Sequence, residues 1–355
     1  MEYGRSDEGS VMVFQTHGRR LAAAVLAAGL AVSLAACGSR TTAAPAQASG
    51  EAQAPSGAAF PVTIEHKFGS TMLKAEPKRV VSVGMTDHDV LVALGVKPVG
   101  GTDWFGERPF ANWPWIDAKW GDARPEVISN GSEVNLEKIA SLRPDLIIGQ
   151  YAGLNKEQYE KLSKIAPTVA QNGKFEDYSA PWRETTLTIG KALGKPAEAQ
   201  KMVADIEAKF SQIRKEHPEF AGKKLIVGDG STPGKWAAFS AKDPRDTLLA
   251  ELGFQVDPKL DGKTKDGTPI QFGDEGLDLL DTDILVMLPE KPEDVSRIKE
   301  NAVYANLAVT KADRVVYLPY SIKPTGAALS FATVLSIPYM IDEVVPQLST
   351  AAKKL

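Results

Sequence analysis

The sequence predicts an α/β fold: two Rossmann-like lobes with mostly parallel sheets, joined by a long helix, with a ligand cleft between the lobes. Three observations predict it. Short apolar runs of strand length alternate with helical patterns, as expected of parallel strands covered by helices. The same order of elements occurs twice, starting at Arg79 and again at Lys224. Between the two copies, residues 180–217 carry apolar side chains at helical spacing.

The elements follow in order. Val62, Ile64, His66 and Phe68 alternate with Thr63, Glu65 and Lys67, the period of a half-buried strand. Gly69 then turns the chain into a second short strand. Residues 79–84 form a buried strand, followed by the loop 85–88 and a short helix ending at Leu94-Gly95. Thr86 and Asp89 have capping-box spacing, so Asp87-His88-Asp89 is read as helix capping in preference to a metal site. In the second copy, residues 224–228 form a strand, 229–243 a loop and 246–252 a helix. Each copy also contains a helix running into a strand, and eight residues separate Glu137 from Asp145 and Glu275 from Asp283. The connection follows Trp182, Thr186, Ile189 and Leu193, is broken at Gly194-Lys195-Pro196, and resumes with Met202, Ile206, Phe210 and Ile213. The expected divisions are an N-terminal lobe over 60–179, a bridging helix over 180–217 and a C-terminal lobe over 218–355.

The first sixty residues concern location. Arg19 and Arg20 precede a 13-residue apolar stretch, too short to span a bilayer and suited to a signal peptide. It ends in Leu34-Ala35-Ala36-Cys37, which resembles the bacterial lipobox and implies cleavage before Cys37 and lipidation of its sulfur. The alternative is a short hydrophobic anchor with an ordinary core cysteine. Residues 1–36 are then a signal peptide, or a shorter one if Met12 is the start. Residues 37–59, rich in Ala, Ser, Gly and Pro, are expected to be a disordered tether. Its reach would average about 26 Å. The expected location is the extracytoplasmic face of a cell membrane, at the cell surface or in a periplasm.

Composition narrows the function. The chain has 355 residues, 41 Lys and Arg against 45 Asp and Glu, a net charge of -4, one cysteine and four histidines. The acidic balance argues against nucleic-acid binding. One cysteine excludes an internal disulfide and a multi-cysteine metal site. There is no Gly-x-Ser-x-Gly elbow and no Walker loop, and the glycines of residues 228–234 lack dinucleotide-loop spacing. No catalytic group, cofactor or protein-held metal is expected. A monomer is expected.

The candidate site is aromatic. Four of six tryptophans fall in residues 104–120, where Gly106, Pro109, Pro114 and Gly121 disfavour regular structure. That loop either packs on its own lobe or walls the cleft, and Trp104, Phe105 and Arg108 are its candidates for ligand contact. Tyr151 follows another strand of the same lobe. Trp236, Phe239 and Arg245 fall on the matching second-lobe loop, and Tyr320 and Lys323 follow its last strand. Flat aromatic faces interleaved with cations suit a large, partly apolar, acidic or metal-chelate ligand. Exposed lysines and an Arg245 paired with Asp243 or Asp246 are the alternative.

A family likeness covers nearly all of the folded chain. Residues 76–84 (EPKRVVSVG), 93–100 (ALGVKPVG), 135–148 (NLEKIASLRPDLII), 165–168 (IAPT), 189–194 (IGKALG) and 335–346 (LSIPYMIDEVVP) resemble the iron-siderophore substrate-binding lipoproteins of ABC importers. These belong to the class III periplasmic binding proteins. Residues 104–115 and 150–154 are similar to the actinobacterial members. The resemblance implies small hinge motion, a ferric siderophore held through its chelate in a shallow cleft, and delivery to a permease dimer with its ATPase. It further implies that Glu137 and Glu275, one per lobe, dock on permease arginines. Two arginines on cleft loops, Arg108 and Arg245, are few for a catecholate, which leaves hydroxamate, citrate-type and mycobactin-type chelates. Haem or cobalamin is the alternative ligand in this architecture. A surface-anchored siderophore-processing enzyme is the alternative from another class.

Overall fold

The computed structural model describes residues 60–131, 134–263 and 268–355. The signal peptide, Cys37 and the tether lie outside the described residues.

The N-terminal lobe opens with a hairpin of β1 (Val62–His66) and β2 (Gly69–Leu73), paired from Val62–Leu73 to His66–Gly69. Then follow β3 (Val80–Ser82), α1 (Asp87–Ala93), β4 (Gly100–Thr102), α2 (Asp117–Trp120), β5 (Glu126–Ser129), α3 (Leu136–Ser141), β6 (Leu146–Gly149), α4 (Lys156–Ser163) and β7 (Thr168–Ala170). The sheet order is β5-β4-β3-β6-β7, with every pair parallel. β3 and β6 are buried along their whole length, as strands covered on both faces must be.

The bridge is two helices, α5 (Trp182–Ala192) and α6 (Pro196–Glu216), rather than one. Gly194, at φ +70°, supplies the left-handed turn, and Pro196 starts α6 where its missing N–H costs nothing. The helices pack closely at Gly190, where an added Cβ would stand 2.3 Å from the Ala199 Cβ.

The C-terminal lobe contains β8 (Lys224–Asp229), β9 (Trp236–Ala238), α7 (Pro244–Ala250), β10 (Gln255–Val256), β11 (Ile270–Phe272), β12 (Ile284–Met287), α8 (Pro292–Glu300), α9 (Ala302–Asn306), α10 (Ala308–Lys311), β13 (Val315–Tyr317), α11 (Thr325–Phe331) and α12 (Ser336–Ala352). Its sheet runs β11-β9-β8-β12-β13, with β10 paired to the start of β8. β9 is antiparallel to both β8 and β11; β8, β10, β12 and β13 run parallel. Two expectations change here. The segment 229–243 is not all loop, because it holds β9. The helix at Glu275 is a 3-10 stretch, Asp274–Leu280.

The eight-residue repeat has a structural cause. The Asp145 carboxylate accepts hydrogen bonds from the backbone N–H groups of Lys78 and Arg79, both at 2.8 Å, tying the start of β6 to that of β3. Asp283 accepts from the Lys224 N–H at 2.9 Å and ties β12 to β8 in the same way. One apolar cluster runs from Val80 and Leu91 through Trp182 and Phe210 to Leu248, Phe331 and Leu348, so the core is continuous across lobes and bridge. Each such side chain, fully buried, contributes about 1.5–3 kcal/mol.

Candidate functional site

In parallel sheets the segments after the strands gather at one edge, where ligands bind. Here Met85 follows β3, Trp104 follows β4, Tyr151 follows β6 and Tyr320 follows β13. They meet at a cavity of about 330 Å³ between the lobes. Trp104, Phe105 and Tyr151 line it from one lobe; Arg245, Tyr320 and Phe331 line it from the other. A hollow of about 220 Å³ adjoins it, sharing Tyr151 and Phe331 and bounded by Trp182 of the bridge.

Local chemistry sets each wall. Asp103 Oδ1 accepts from the N–H groups of Phe105 (3.2 Å) and Gly106 (2.7 Å), which curls the chain and projects Phe105, 43% exposed. The buried Trp104 Nε1 has no hydrogen-bond partner among the described residues. Buried Asp87 accepts from the N–H groups of Gln150 (2.7 Å) and Tyr151 (3.1 Å), so the first residues of α1 hold the segment that presents Tyr151. Burial pushes the Tyr151 phenol up, which keeps it neutral, and its ring meets Tyr178 edge-on at 5.3 Å.

Arg245 is the cavity's cation. Its Nε and Nη2 donate to the two oxygens of Asp243, each at 2.8 Å, while Nη1 stands 3.4 Å from the Tyr320 hydroxyl. Its guanidinium lies 3.7 Å from the centre of the Phe239 ring. The Asp243 pairing outweighs burial and raises the Arg245 pKa, so the charge is permanent. The Tyr320 hydroxyl is 2.6 Å from that of Ser330.

Of the nine sequence candidates, Trp104, Phe105, Tyr151, Arg245 and Tyr320 come together at this cavity. Phe239 is buried beneath Arg245. Three lie elsewhere. Trp236 is a core residue because β9 turns it inward: it donates to Asp274 at 2.7 Å and stacks on Tyr304 at 5.5 Å. Arg108 pairs with Asp103 on an exposed rim and borders a separate polar hollow beside α3. Lys323 is exposed, at φ +58°, and does not line the cavity.

Sequence reasoning missed Phe331 and Tyr178, and it offered Asp243 only as an alternative partner of Arg245, which is the pairing found. Phe331 closes α11, whose seven residues include no tryptophan. Its ring lies 5.0 Å from Phe105, 5.3 Å from Trp113 and 5.4 Å from Trp115, so these three rings meet the opposite lobe, while Phe110 and Trp120 pack on His88 of their own. The expected cap at Thr86 is absent, since its side chain makes no capping bond. Asp89 instead accepts from Thr333 (2.5 Å) and Trp115 Nε1 (2.9 Å), joining the lobes. His88 is buried with Nε2 3.5 Å from Asp89, and burial lowers its pKa to about 4. Among the described residues no group of three or more His, Cys, Asp or Glu is placed to hold a metal ion.

Glu137 and Glu275 are both exposed, each at the first turn of its helical segment. Those segments follow β5 and β11, which run with β3 and β8, so both carboxylates sit on the strand-end face that opens to the cleft.

The profile of the family described as "Periplasmic binding protein" matches residues 80–321. A putative ABC transporter substrate-binding lipoprotein of Bacillus subtilis, YhfQ, is 26% identical over 82% of this chain and 90% of its own length. The crystal structure of a periplasmic solute binding protein from Mycobacterium smegmatis superposes with a TM-score of 0.73 at 35% identity, covering 82% of this chain and 98% of the other. The iron-uptake protein PiaA of Streptococcus pneumoniae, solved with ferrichrome, superposes with a TM-score of 0.71 at 26% identity, covering 82% and 99%. Among the described residues no helix is long and apolar enough to cross a membrane.

Proposed function

The chain belongs to the periplasmic binding protein family, and from that premise we propose that it is the substrate-binding lipoprotein of an ABC importer, capturing a ferric siderophore and delivering it to the permease. The observation that carries this reading is the cavity between the lobes, walled by aromatic rings with one permanent guanidinium. It offers flat apolar contact and a donor edge to a large chelate, and the iron stays within that chelate. The similarity to a protein solved with ferrichrome supports the same ligand class.

Cys37 carries the lipid that holds the protein at the extracytoplasmic face of the membrane. Glu137 and Glu275, one per lobe on the cleft-side face, are the contacts to permease arginines. The two sites are independent of the cavity walls, so capture and docking are separable.

Tryptophan fluorescence tests the capture step. Titration of the purified protein with ferric chelates should quench emission with micromolar or tighter affinity. Haem and cobalamin belong in the same panel, and a response to either of them alone reassigns the ligand. No response to any member refutes the reading.

A further inference from the structure

Only two charged side chains line the cavity among the described residues, Asp243 and Arg245, and they are paired with each other. The guanidinium edge formed by Nε and Nη2 is occupied by Asp243, and one face lies on Phe239. What remains towards the cavity is Nη1 beside the Tyr320 hydroxyl. Asp246, the next residue along α7, is buried and does not line the cavity, and burial together with the neighbouring Asp243 pushes its carboxyl well above the usual carboxylate range. Arg108, the other arginine expected here, is committed to Asp103 outside the cavity. The lining therefore has a formal charge of zero, with neutral hydroxyl and guanidinium donors and a majority of aromatic rings.

An ion transferred to such a site loses hydration that no opposite charge replaces. Three hydroxamates each lose one proton and together balance ferric iron, giving a neutral chelate. Three catecholates lose six protons and leave the ferric complex trianionic. Resting on the receptor reading above, we infer that this cavity selects ferric chelates of net charge near zero, of the trihydroxamate kind, over trianionic tris-catecholates, and that Asp243 sets the selection by neutralising Arg245.

Asp243 also caps α7 by accepting from the Arg245 N–H at 2.9 Å. Asp243→Asn keeps that cap and removes the charge, so it tests the selectivity with the fold preserved. The probes are ferrichrome, a neutral trihydroxamate, and a trianionic ferric tris-catecholate, titrated against full-length protein with circular dichroism of every variant. Wild type should bind the neutral chelate at least about 100-fold more tightly. Asp243→Asn should narrow that ratio by about tenfold, and Arg245→Gln, which leaves Asp243 uncompensated, should widen it. Equal or tighter binding of the tris-catecholate by wild type overturns the inference, as does a ratio unmoved in a folded Asp243→Asn protein. Binding of neither chelate nor any other ferric complex overturns the receptor reading itself.

Discussion

The Thr333 hydroxyl donates to the Asp89 carboxylate at 2.5 Å across the junction of the two lobes, with both groups buried. The indole N–H of Trp115 reaches the same oxygen, so an α1 side chain, the tryptophan-rich loop and the α11–α12 junction share one acceptor. Burial pushes Asp89 up to about 7 and its neighbour His88 down to about 4, so between those pH values a protonated carboxyl lies beside a neutral imidazole.

Stability should fall as pH rises from about 4 to about 7. In that window the folded state keeps protons on Asp89 and on Asp87, which is also raised to about 7, whereas unfolded aspartates have lost theirs. His88 opposes this, because below about 6.5 the unfolded imidazole binds a proton that the folded one does not. Two carboxyls outweigh one imidazole. Asp89→Asn should leave one of each, flattening the slope by about 1.4 kcal/mol per pH unit. Urea melts at several pH values check this; parallel curves for the two proteins contradict it.

The rings around Phe331 hold the lobes together. Phe331→Ala removes a buried side chain that meets Phe105, Trp113 and Trp115, and should cost about 3–5 kcal/mol. Small-angle scattering should show a larger radius of gyration in the variant. An unchanged radius would mean that the bridge alone sets the lobe spacing.

Trp104 and Trp236 should respond oppositely to replacement. Trp104→Ala should weaken chelate binding by tenfold or more, about 1.4 kcal/mol, and change melting little. Trp236→Phe should lower the melting temperature through loss of the Asp274 bond and leave the affinity intact. A fluorescence titration paired with a thermal melt distinguishes them.

Reversing Glu137 and Glu275 together to lysine should abolish chelate uptake by cells while affinity stays within twofold of wild type. Lost affinity in the purified double variant would move these residues from docking to capture.

Much of this architecture was legible because it rests on local signals. The strand-length runs at Val80 and Leu225 and the break at Gly194-Lys195-Pro196 act through nearby backbone, while the Glu-to-Asp interval was legible as a repeat although its aspartates bond backbone 66 and 59 residues away. The misreadings came from long-range partners. Thr86 and Asp89 have the spacing of a cap, but Asp89 finds Thr333, 244 residues away, and gives up the local bond. Trp236 has the local setting of a cleft residue, but the pairing of β9 with β8 and β11 turns its side chain inward. Phe331 carries no local mark at all, since its importance lies wholly in which rings the other lobe brings to it.

The carboxylates of Asp145 and Asp283 fasten each sheet at the strand starts, the edge remote from the cleft. Register is thereby decided where no ligand is touched. The opposite edge is free of that duty, so its segments can exchange residues, lengthen or change charge without unsettling strand pairing. A lineage carrying this frame can retarget its receptor by altering a handful of loop residues, with Asp243 and Arg245 as one adjustable pair.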